Sequence, residues 1–274
     1  MDQRAVEAAL ADSGLGAVKY FDSLGSTNVE AACWAESEAP DWALVVADEQ
    51  TAGRGRAGRT WVTLPGVALA FSLVLRPSAE EMSVWQRLTA LGALAVAQAL
   101  RQRYRLPALI KWPNDVLVEG LKVCGVLAEA TWSGSLLTAL VIGIGINVAP
   151  GSVDPQMLPP KSLNFPAGCV ETALGAPVDR LELLHAVLGE LMSWRKRLSS
   201  PEFWQAWEEW LAFRGEWVKV VPGESWPEES LVQEGLLLGL APDGGLRLRN
   251  RAGETVTVRL GEVRLISADP QRLE

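Results

Sequence analysis

Short apolar runs separated by polar turns predict most of the strands of this chain. Residues 42–48 and 67–75 are two such runs, so the polar segment between them is predicted to connect two strands. Turn signals at Glu119-Gly120 and Ser133-Gly134 separate three further runs, which span residues 108–118, 123–130 and 136–148. Short turns between successive strands favour an antiparallel meander over alternating βαβ units.

Helical spacing of apolar residues occurs in three places. One predicted helix covers residues 84–104, and two more cover residues 178–198 and 201–213. The last of these begins with a proline after two serines, as a capped helix start does. Residues 149–177 are rich in proline and are predicted to form a loop.

After Gly215 the pattern changes to short strands with glycine-containing turns. Five segments alternate or run apolar, as expected of a small β-barrel: 217–221, 236–240, 246–249, 255–260 and 263–266. We therefore place a domain boundary near residues 213–216. The chain is predicted to have a large domain over residues 1–214 and a small one over residues 215–274.

Composition indicates an ordinary globular protein and limits its partners. Of 274 residues, 49% are hydrophobic and 21% are charged, which suits a packed core. The formal net charge of −8 repels nucleic acid and anionic membrane, so any anion site must be local. The three cysteines lack the spacing of a disulfide framework or a zinc site. With no apolar signal segment and no run of about 18 apolar residues, we expect a cytoplasmic protein.

Residues 53–61, Gly-Arg-Gly-Arg-Ala-Gly-Arg-Thr-Trp, form the most informative segment, here called the arginine loop. Three arginines and three glycines fall within nine residues of an acidic chain. Glycines let the backbone approach a ligand closely, and guanidinium groups match carboxylate and phosphate. The arginine loop is therefore predicted to hold an anionic ligand such as a phosphate ester.

A second polar cluster interrupts the apolar run over residues 108–118. Lys111-Trp112-Pro113-Asn114-Asp115 places a cation and a carboxylate around a proline, which requires either a turn or a bulged or edge strand. Lys122 begins the next apolar run. It is either an edge lysine with a solvated ammonium group or a point charge beside the arginine loop.

Three further segments carry polar groups that a ligand could contact. Ser26-Thr27-Asn28 precedes a helical segment and reads first as an N-cap, which leaves other polar groups of the triplet free. Gln50 adds an amide just before the arginine loop. Gly143-Ile144-Gly145-Ile146-Asn147 ends a strand with glycines but has neither P-loop nor dinucleotide-binding context.

Taken in order, with Gly125 beside Lys122, these motifs resemble the biotin protein ligases over residues 20–266. The resemblance implies an α+β fold: a class II synthetase-like mixed sheet with helices, followed by a small SH3-like β-barrel. It also implies a two-step reaction with ATP and biotin as substrates and Mg²⁺ as cofactor. The biotin carboxylate attacks the α-phosphate of ATP to give biotinyl-5′-AMP, and a lysine of a biotin carboxyl carrier protein, from acetyl-CoA carboxylase or a related carboxylase, then takes the biotinyl group.

The resemblance also assigns residues to roles. It implies that Lys122, Arg54 and Arg56 carry catalysis. The biotin-binding set is Ser26, Thr27, Asn28, Gln50, Arg54, Gly55, Arg56, Lys122 and Gly125. The ATP- and adenylate-binding set is Arg54, Arg56, Trp61, Lys111, Asn114, Lys122 and Asn147. Asp115 is the predicted metal residue, and the arginine loop with part of residues 149–165 is expected to close over the adenylate.

Two departures from the family pattern bear on these roles. Ala57 stands where some relatives have another arginine, and residues 159–163 differ from the Ala-Thr-Ser-Leu that relatives often carry on the adenine side. About twenty-five residues precede Ser26, too few for a three-helix DNA-binding domain. We therefore expect a ligase without sequence-specific DNA binding and without membrane association, and a homodimer is reasonable for the family.

Two rival functions follow from the same motifs. A lipoyl or octanoyl ligase or transferase shares the catalytic fold, but the ordered motifs and the C-terminal strands favour biotin. A nucleic-acid-binding module could use an arginine–glycine loop beside a barrel. The C-terminal segment is acidic, however, which favours the enzyme.

Overall fold

A seven-stranded mixed sheet forms the centre of the protein in a computed structural model, which describes residues 1–134, 136–153, 166–221 and 232–266. Its strands are β1 (Ala17–Leu24), β2 (Ala43–Gln50), β3 (Ala68–Leu75), β4 (Ala108–Lys111), β5 (Asp115–Val118), β6 (Leu121–Ser133) and β7 (Leu136–Asn147). They lie in the order β1-β2-β3-β7-β6-β5-β4. Strands β1 and β2 are parallel, and all other neighbours are antiparallel.

The apolar runs predict most of this sheet, with one correction. The runs at 42–48 and 67–75 form β2 and β3, and the predicted meander is confirmed by the consecutive pairing of β4 to β7. The run at 108–118 is a hairpin and not one strand, because Lys111 pairs with Asp115 across a turn. Proline cannot donate to a strand ladder, so the pentad forms the turn.

Helices cover both faces of the sheet. They are α1 (Gln3–Ala9), α2 (Thr27–Glu36), α3 (Ala79–Met82), α4 (Leu88–Tyr104), α5 (Val170–Leu174), α6 (Arg180–Arg195) and α7 (Pro201–Glu209). Alternate residues of a strand point to opposite faces: Leu44 and Val46 join the core with α4 and α6, whereas Val45 packs in a second core with Ala31 of α2. Every described helix is too short or too polar to cross a bilayer.

The C-terminal strands form a separate antiparallel sheet. They are β8 (Trp217–Val221), β9 (Gln233–Leu240), β10 (Leu246–Arg249), β11 (Thr255–Val258) and β12 (Glu262–Leu265). The described residues pair in the order β11-β10-β9-β8-β12, which leaves β11 and β12 at the edges. The predicted strands are therefore confirmed, and the sheet they form is open over the described ranges.

Among the contacts that tie the second sheet to the first unit are two hydrogen bonds near the end of β9. The indole Nε1 of Trp112 donates to the carbonyl of Gly244 at 3.0 Å, from the β4–β5 turn to the β9–β10 turn. The carboxylate of Glu208, at the end of α7, accepts from the backbone N–H of Leu240 at 3.2 Å. The β4–β5 turn is thus fixed from the side of the C-terminal sheet.

Candidate active site

A cavity lies between the arginine loop, the start of α2 and the strands β6 and β7. It brings together residues that are far apart in the chain. The predicted site residues that line it are Ser26, Thr27, Asn28, Gln50, Arg54, Gly55, Arg56, Trp61, Asn114, Lys122, Gly125 and Asn147. Lys111 and Asp115 belong to the same charged cluster as Lys122, next to the cavity.

The start of α2 supplies a neutral polar wall. Ser26 occupies the N-cap position with extended backbone, but its side chain makes no capping hydrogen bond, so the simple capping interpretation is wrong for this hydroxyl. Gln50, at the end of β2, accepts through Oε1 from the backbone N–H of Thr27 at 2.8 Å and from its hydroxyl at 3.1 Å. Gln50 Nε2 donates to the hydroxyl of Thr63 at 3.1 Å. This wall can donate to and accept from an uncharged polar ligand.

The amide of Asn28 is held by hydrogen bonds to three residues on two strands, β3 and β6. Its Oδ1 lies 2.6 Å from the hydroxyl of Ser72 on β3. Its Nδ2 donates to the carboxylate of Glu129 at 2.8 Å and to the carbonyl of Leu127 at 3.3 Å, both on β6. A Cβ at Gly143 would clash with Asn28 Oδ1, so glycine on β7 is what lets the amide lie there. The amide is thus fixed in one orientation.

A buried charge cluster lies at the β4–β5 turn. The carboxylate of Asp115 pairs with the Nζ of Lys122 at 2.7 Å and with the Nζ of Lys111 at 3.0 Å. Burial alone would raise the pKa of Asp115, but the charges of the two lysines outweigh it and lower the pKa to about 2. Burial also lowers the pKa of Lys111, against the opposing effect of Asp115. Asp115 therefore stays ionised and holds Lys122 at the cavity.

Each arginine of the arginine loop contacts a different element. Arg54 forms a 3.0 Å ion pair with Glu129 on β6. Arg56 donates to the side-chain oxygen of Asn114 at 3.2 Å, and burial lowers its pKa. Arg59 pairs with Glu262 of the C-terminal sheet. The loop also folds back on itself through two backbone hydrogen bonds. The N–H of Gly55 donates to the carbonyl of Arg59 at 2.7 Å, and the N–H of Trp61 donates to the carbonyl of Gly53 at 2.9 Å.

Trp61 forms an aromatic wall at the end of the arginine loop. A Cβ at Gly145 would clash with its ring, and one at Gly125 would lie 3.1 Å from it, so both glycines make room for the indole. The Nζ of Lys122 lies 5.7 Å from the ring centroid. Asn147 donates to the carbonyl of Gly168 at 3.1 Å, which ties β7 to the segment before α5.

Three residues that the motifs did not single out contribute to the site: Ser72, Glu129 and Glu262. Ser72 and Glu129 are polar residues in the otherwise apolar segments 68–75 and 123–130, and this was the available signal. Glu262 is buried but lies in a strand of mixed polarity, so only the tertiary pairing with Arg59 reveals it. Residues 154–165, expected to take part in closure, lie outside the described residues.

The predicted metal role of Asp115 does not fit its surroundings. A lysine ammonium group contacts each of its two oxygens, and these cations would compete with any metal ion. Within the described residues, no cluster of three or more His, Cys, Asp or Glu side chains could hold a metal ion. Asp115 instead fits the role of an anchor for the two lysines.

The class of protein follows from comparison with known families. Residues 20–147 match the family model described as the Biotin/lipoate A/B protein ligase family. A Biotin--[acetyl-CoA-carboxylase] ligase from Paracoccus denitrificans is 36% identical over 237 residues, which cover 84% of this chain and 93% of that protein. The chain therefore belongs to the biotin protein ligases of this family.

Other relatives agree with this placement. The Bifunctional ligase/repressor BirA of Bacillus subtilis (strain 168) is 38% identical over 169 residues, or 62% of this chain. The match spans 50% of that relative, about half its length. A structure of biotin protein ligase from Aquifex aeolicus in complex with biotin and ATP superposes with a TM-score of 0.74 and 30% identity, covering 92% of this chain and 99% of that chain. The mixed sheet, its helices and the C-terminal antiparallel sheet thus follow the architecture of solved biotin ligases.

Proposed function

We propose that this chain activates biotin with ATP to biotinyl-5′-AMP and then transfers the biotinyl group to a lysine of a carboxylase carrier domain. The observation that carries the proposal is the shared cavity. It joins a neutral polar wall, Ser26 to Asn28 with Gln50, to two cationic side chains, Arg56 and Lys122. A ligand with an uncharged polar ring at one end and a reacting carboxylate at the other matches this division.

Biotin is proposed to bind with its ureido ring against the polar wall. Ser26, Thr27 and Gln50 offer neutral donors and acceptors, which suit an uncharged urea. Apolar residues beside them, including Leu127 and Ile144, line the same cavity and suit the thioether ring. The backbone of residues 54–56 covers the ligand, and Gly125 leaves space next to Lys122.

The cationic end is proposed to bring two anions together. A carboxylate and a triphosphate repel each other, so their reaction requires fixed positive charge where negative charge develops. Lys122 would contact the biotin carboxylate and later the adenylate phosphate, and Arg56 would contact the triphosphate. The carboxylate oxygen bonds to the α-phosphorus, the bond from that phosphorus to the bridging oxygen breaks, and pyrophosphate leaves.

The remaining predicted residues are proposed to complete the nucleotide site. Trp61 and Asn147 would border the adenylate, while Asn114 positions Arg56. Lys111 supports Lys122 through their shared partner, Asp115. Magnesium would enter with ATP as part of the substrate, and no step is assigned to a protein metal ligand.

The proposed domain organisation and partners are supported by the strand pattern of the C-terminal segment and by membership in the biotin protein ligases. Residues 1–214 would form the catalytic domain. Residues 215–274 would form an SH3-like barrel that includes the five strands of the C-terminal sheet. The partner would be the biotin carboxyl carrier protein of acetyl-CoA carboxylase or a related carboxylase. We also propose that the protein is cytoplasmic, forms a homodimer and does not bind DNA sequence-specifically.

Acyl-adenylate formation tests the activity. The protein is incubated with ATP and either biotin or lipoate, and the products are identified by mass. We expect biotinyl-AMP, whereas lipoyl-AMP without biotinyl-AMP would favour the lipoyl alternative. Lys122→Ala is expected to slow biotinyl-AMP formation by about 100-fold or more, as for loss of a transition-state contact. Lys196→Ala, which removes an exposed lysine, is the matched control.

A further inference from the structure

Glu129 joins the arginine loop to the opposite wall of the cavity. It lies on β6, and its two carboxylate oxygens have different partners. Oε1 pairs with the guanidinium of Arg54 at 3.0 Å, and Oε2 accepts from Nδ2 of Asn28 at 2.8 Å. The loop residue and the α2 residue are thus held by one side chain.

The contact with Asn28 decides which end of its amide faces β6 and which end faces Ser72 and Gly143. An ionised carboxylate can only accept hydrogen bonds, so it must face the NH₂ group of Asn28. The carbonyl of Leu127 accepts from the same NH₂ group. Oδ1 is therefore turned toward the hydroxyl of Ser72, from which it accepts at 2.6 Å, and toward Gly143, which lines the cavity. Its second lone pair is the acceptor that we assign to a ligand N–H. A ureido ring carries such N–H donors.

The contact with Arg54 fixes the arginine loop. The guanidinium is bound at β6, away from the Arg56–Asn114 contact at the β4–β5 turn. Backbone pairing of Arg54 with Thr60 transmits this anchor to the rest of the loop. Arg54 and Gly55 line the cavity, so the ion pair holds this part of the loop at the cavity.

We propose that Glu129 is a positioning residue with two separable effects. One carboxylate oxygen orients Asn28 for recognition of biotin, and the other holds the arginine loop over the acyl-adenylate and slows its release. This inference rests on the proposed function. It also assigns to the side chain of Arg54 the role of anchoring the loop, in place of the predicted role in phosphate binding.

Two substitutions of Glu129 separate the two effects. Glu129→Gln keeps an oxygen that accepts from Asn28 but loses the charge that pairs with Arg54. We expect unchanged biotin affinity and release of biotinyl-AMP that is about threefold to fivefold faster, as for loss of a partly exposed ion pair. Glu129→Leu removes both contacts, and we expect the same faster release together with about tenfold weaker biotin binding.

A double-mutant cycle tests the coupling to Arg54. Arg54→Gln should speed release as much as Glu129→Gln does, and the double variant should add nothing further. Glu182→Gln is the control, because Glu182 also forms an exposed ion pair with an arginine, Arg103, and does not line the cavity. It should leave release and biotin affinity as in the wild type.

The measurements are biotin affinity by calorimetry and release of preformed biotinyl-AMP in a chase experiment. Additive effects of Arg54→Gln and Glu129→Gln, or wild-type release in both variants, would overturn the inference even if Glu129→Leu did not fold. So would unchanged biotin affinity in a folded Glu129→Leu protein. Failure of the wild type to make biotinyl-AMP would instead overturn the proposed function.

Discussion

Replacement of Asp115 by asparagine is expected to destabilise the fold and displace Lys122. The substitution keeps the size of the side chain and removes its charge. Asp115 is 6% exposed, and its carboxylate pairs with Lys122 at 2.7 Å and Lys111 at 3.0 Å. Because the pair is buried, water cannot replace the lost carboxylate as it would at the surface.

The pKa of Asp115 gives the magnitude and the pH range of this effect. Burial would raise the pKa, but the two lysines lower it from 3.8 to about 2. This difference corresponds to about 2 kcal/mol of stability. Since the pKa is lower in the folded state, the contribution is complete above about pH 4 to 5 and is lost as the pH falls toward 2.

Urea unfolding at pH 7 and pH 5 measures this contribution. Asp115→Asn should lower the free energy of unfolding by about 2 kcal/mol at both pH values. The exposed control Asp12→Asn should change it by less than about 0.5 kcal/mol. Biotinyl-AMP formation should also slow, because Lys122 loses its anchor at the cavity. Equal unfolding free energies for Asp115→Asn and wild type at pH 7 would refute the electrostatic reasoning.

Three further substitutions test other parts of the structure. Gly143→Ala should abolish biotin binding in a folded protein, because the added Cβ would clash with Asn28 Oδ1. Calorimetry measures the binding, and tight biotin binding by the variant would contradict this geometry. Glu262→Gln should weaken ATP binding, measured as a raised KM in biotinyl-AMP synthesis, because Arg59 of the arginine loop loses a charged partner. Gly189→Ala should raise the free energy of urea unfolding by about 0.5–1 kcal/mol, because alanine favours a helix more than glycine does and an added Cβ in α6 would meet open space. An unchanged free energy of unfolding would contradict this reasoning.

Sequence reasoning predicts the elements of this protein whose signals are local. The apolar runs identify β2, β3 and β6 to β7, and the helical spacing over 84–104 and 178–198 identifies α4 and α6. The strand β1 was not predicted, because its sequence Ala-Val-Lys-Tyr-Phe-Asp-Ser-Leu alternates poorly and its residues are mostly half-buried at the sheet edge. Its strand character comes from parallel pairing with β2, which is a tertiary interaction.

Some residues of the site can be predicted from their neighbours in sequence, whereas others depend on contacts between distant parts of the chain. The arginine loop and the polar pentad were evident because several unusual residues are adjacent in sequence. Glu129 was not, since it lies 101 residues from its partner Asn28 and a single acidic residue in a strand also fits a solvated face. The assignment of Arg54 to the ATP- and adenylate-binding set follows from the family resemblance and from the affinity of guanidinium groups for phosphate. Neither signal shows that Glu129 pairs with Arg54 from within the protein.

The partners of the three arginines distinguish their roles in the arginine loop. Arg54 and Arg59 pair with carboxylates, Glu129 and Glu262, so much of their charge is balanced within the protein. Arg56 instead donates to the neutral side-chain oxygen of Asn114, and its partial burial lowers its pKa. A neutral partner is displaced by phosphate at lower electrostatic cost than a carboxylate is, because no like-charged group is left behind. Under the proposed function, two arginines would fix the position of the arginine loop, and Arg56, which lines the same cavity as Lys122, would be its cation for the reacting phosphates.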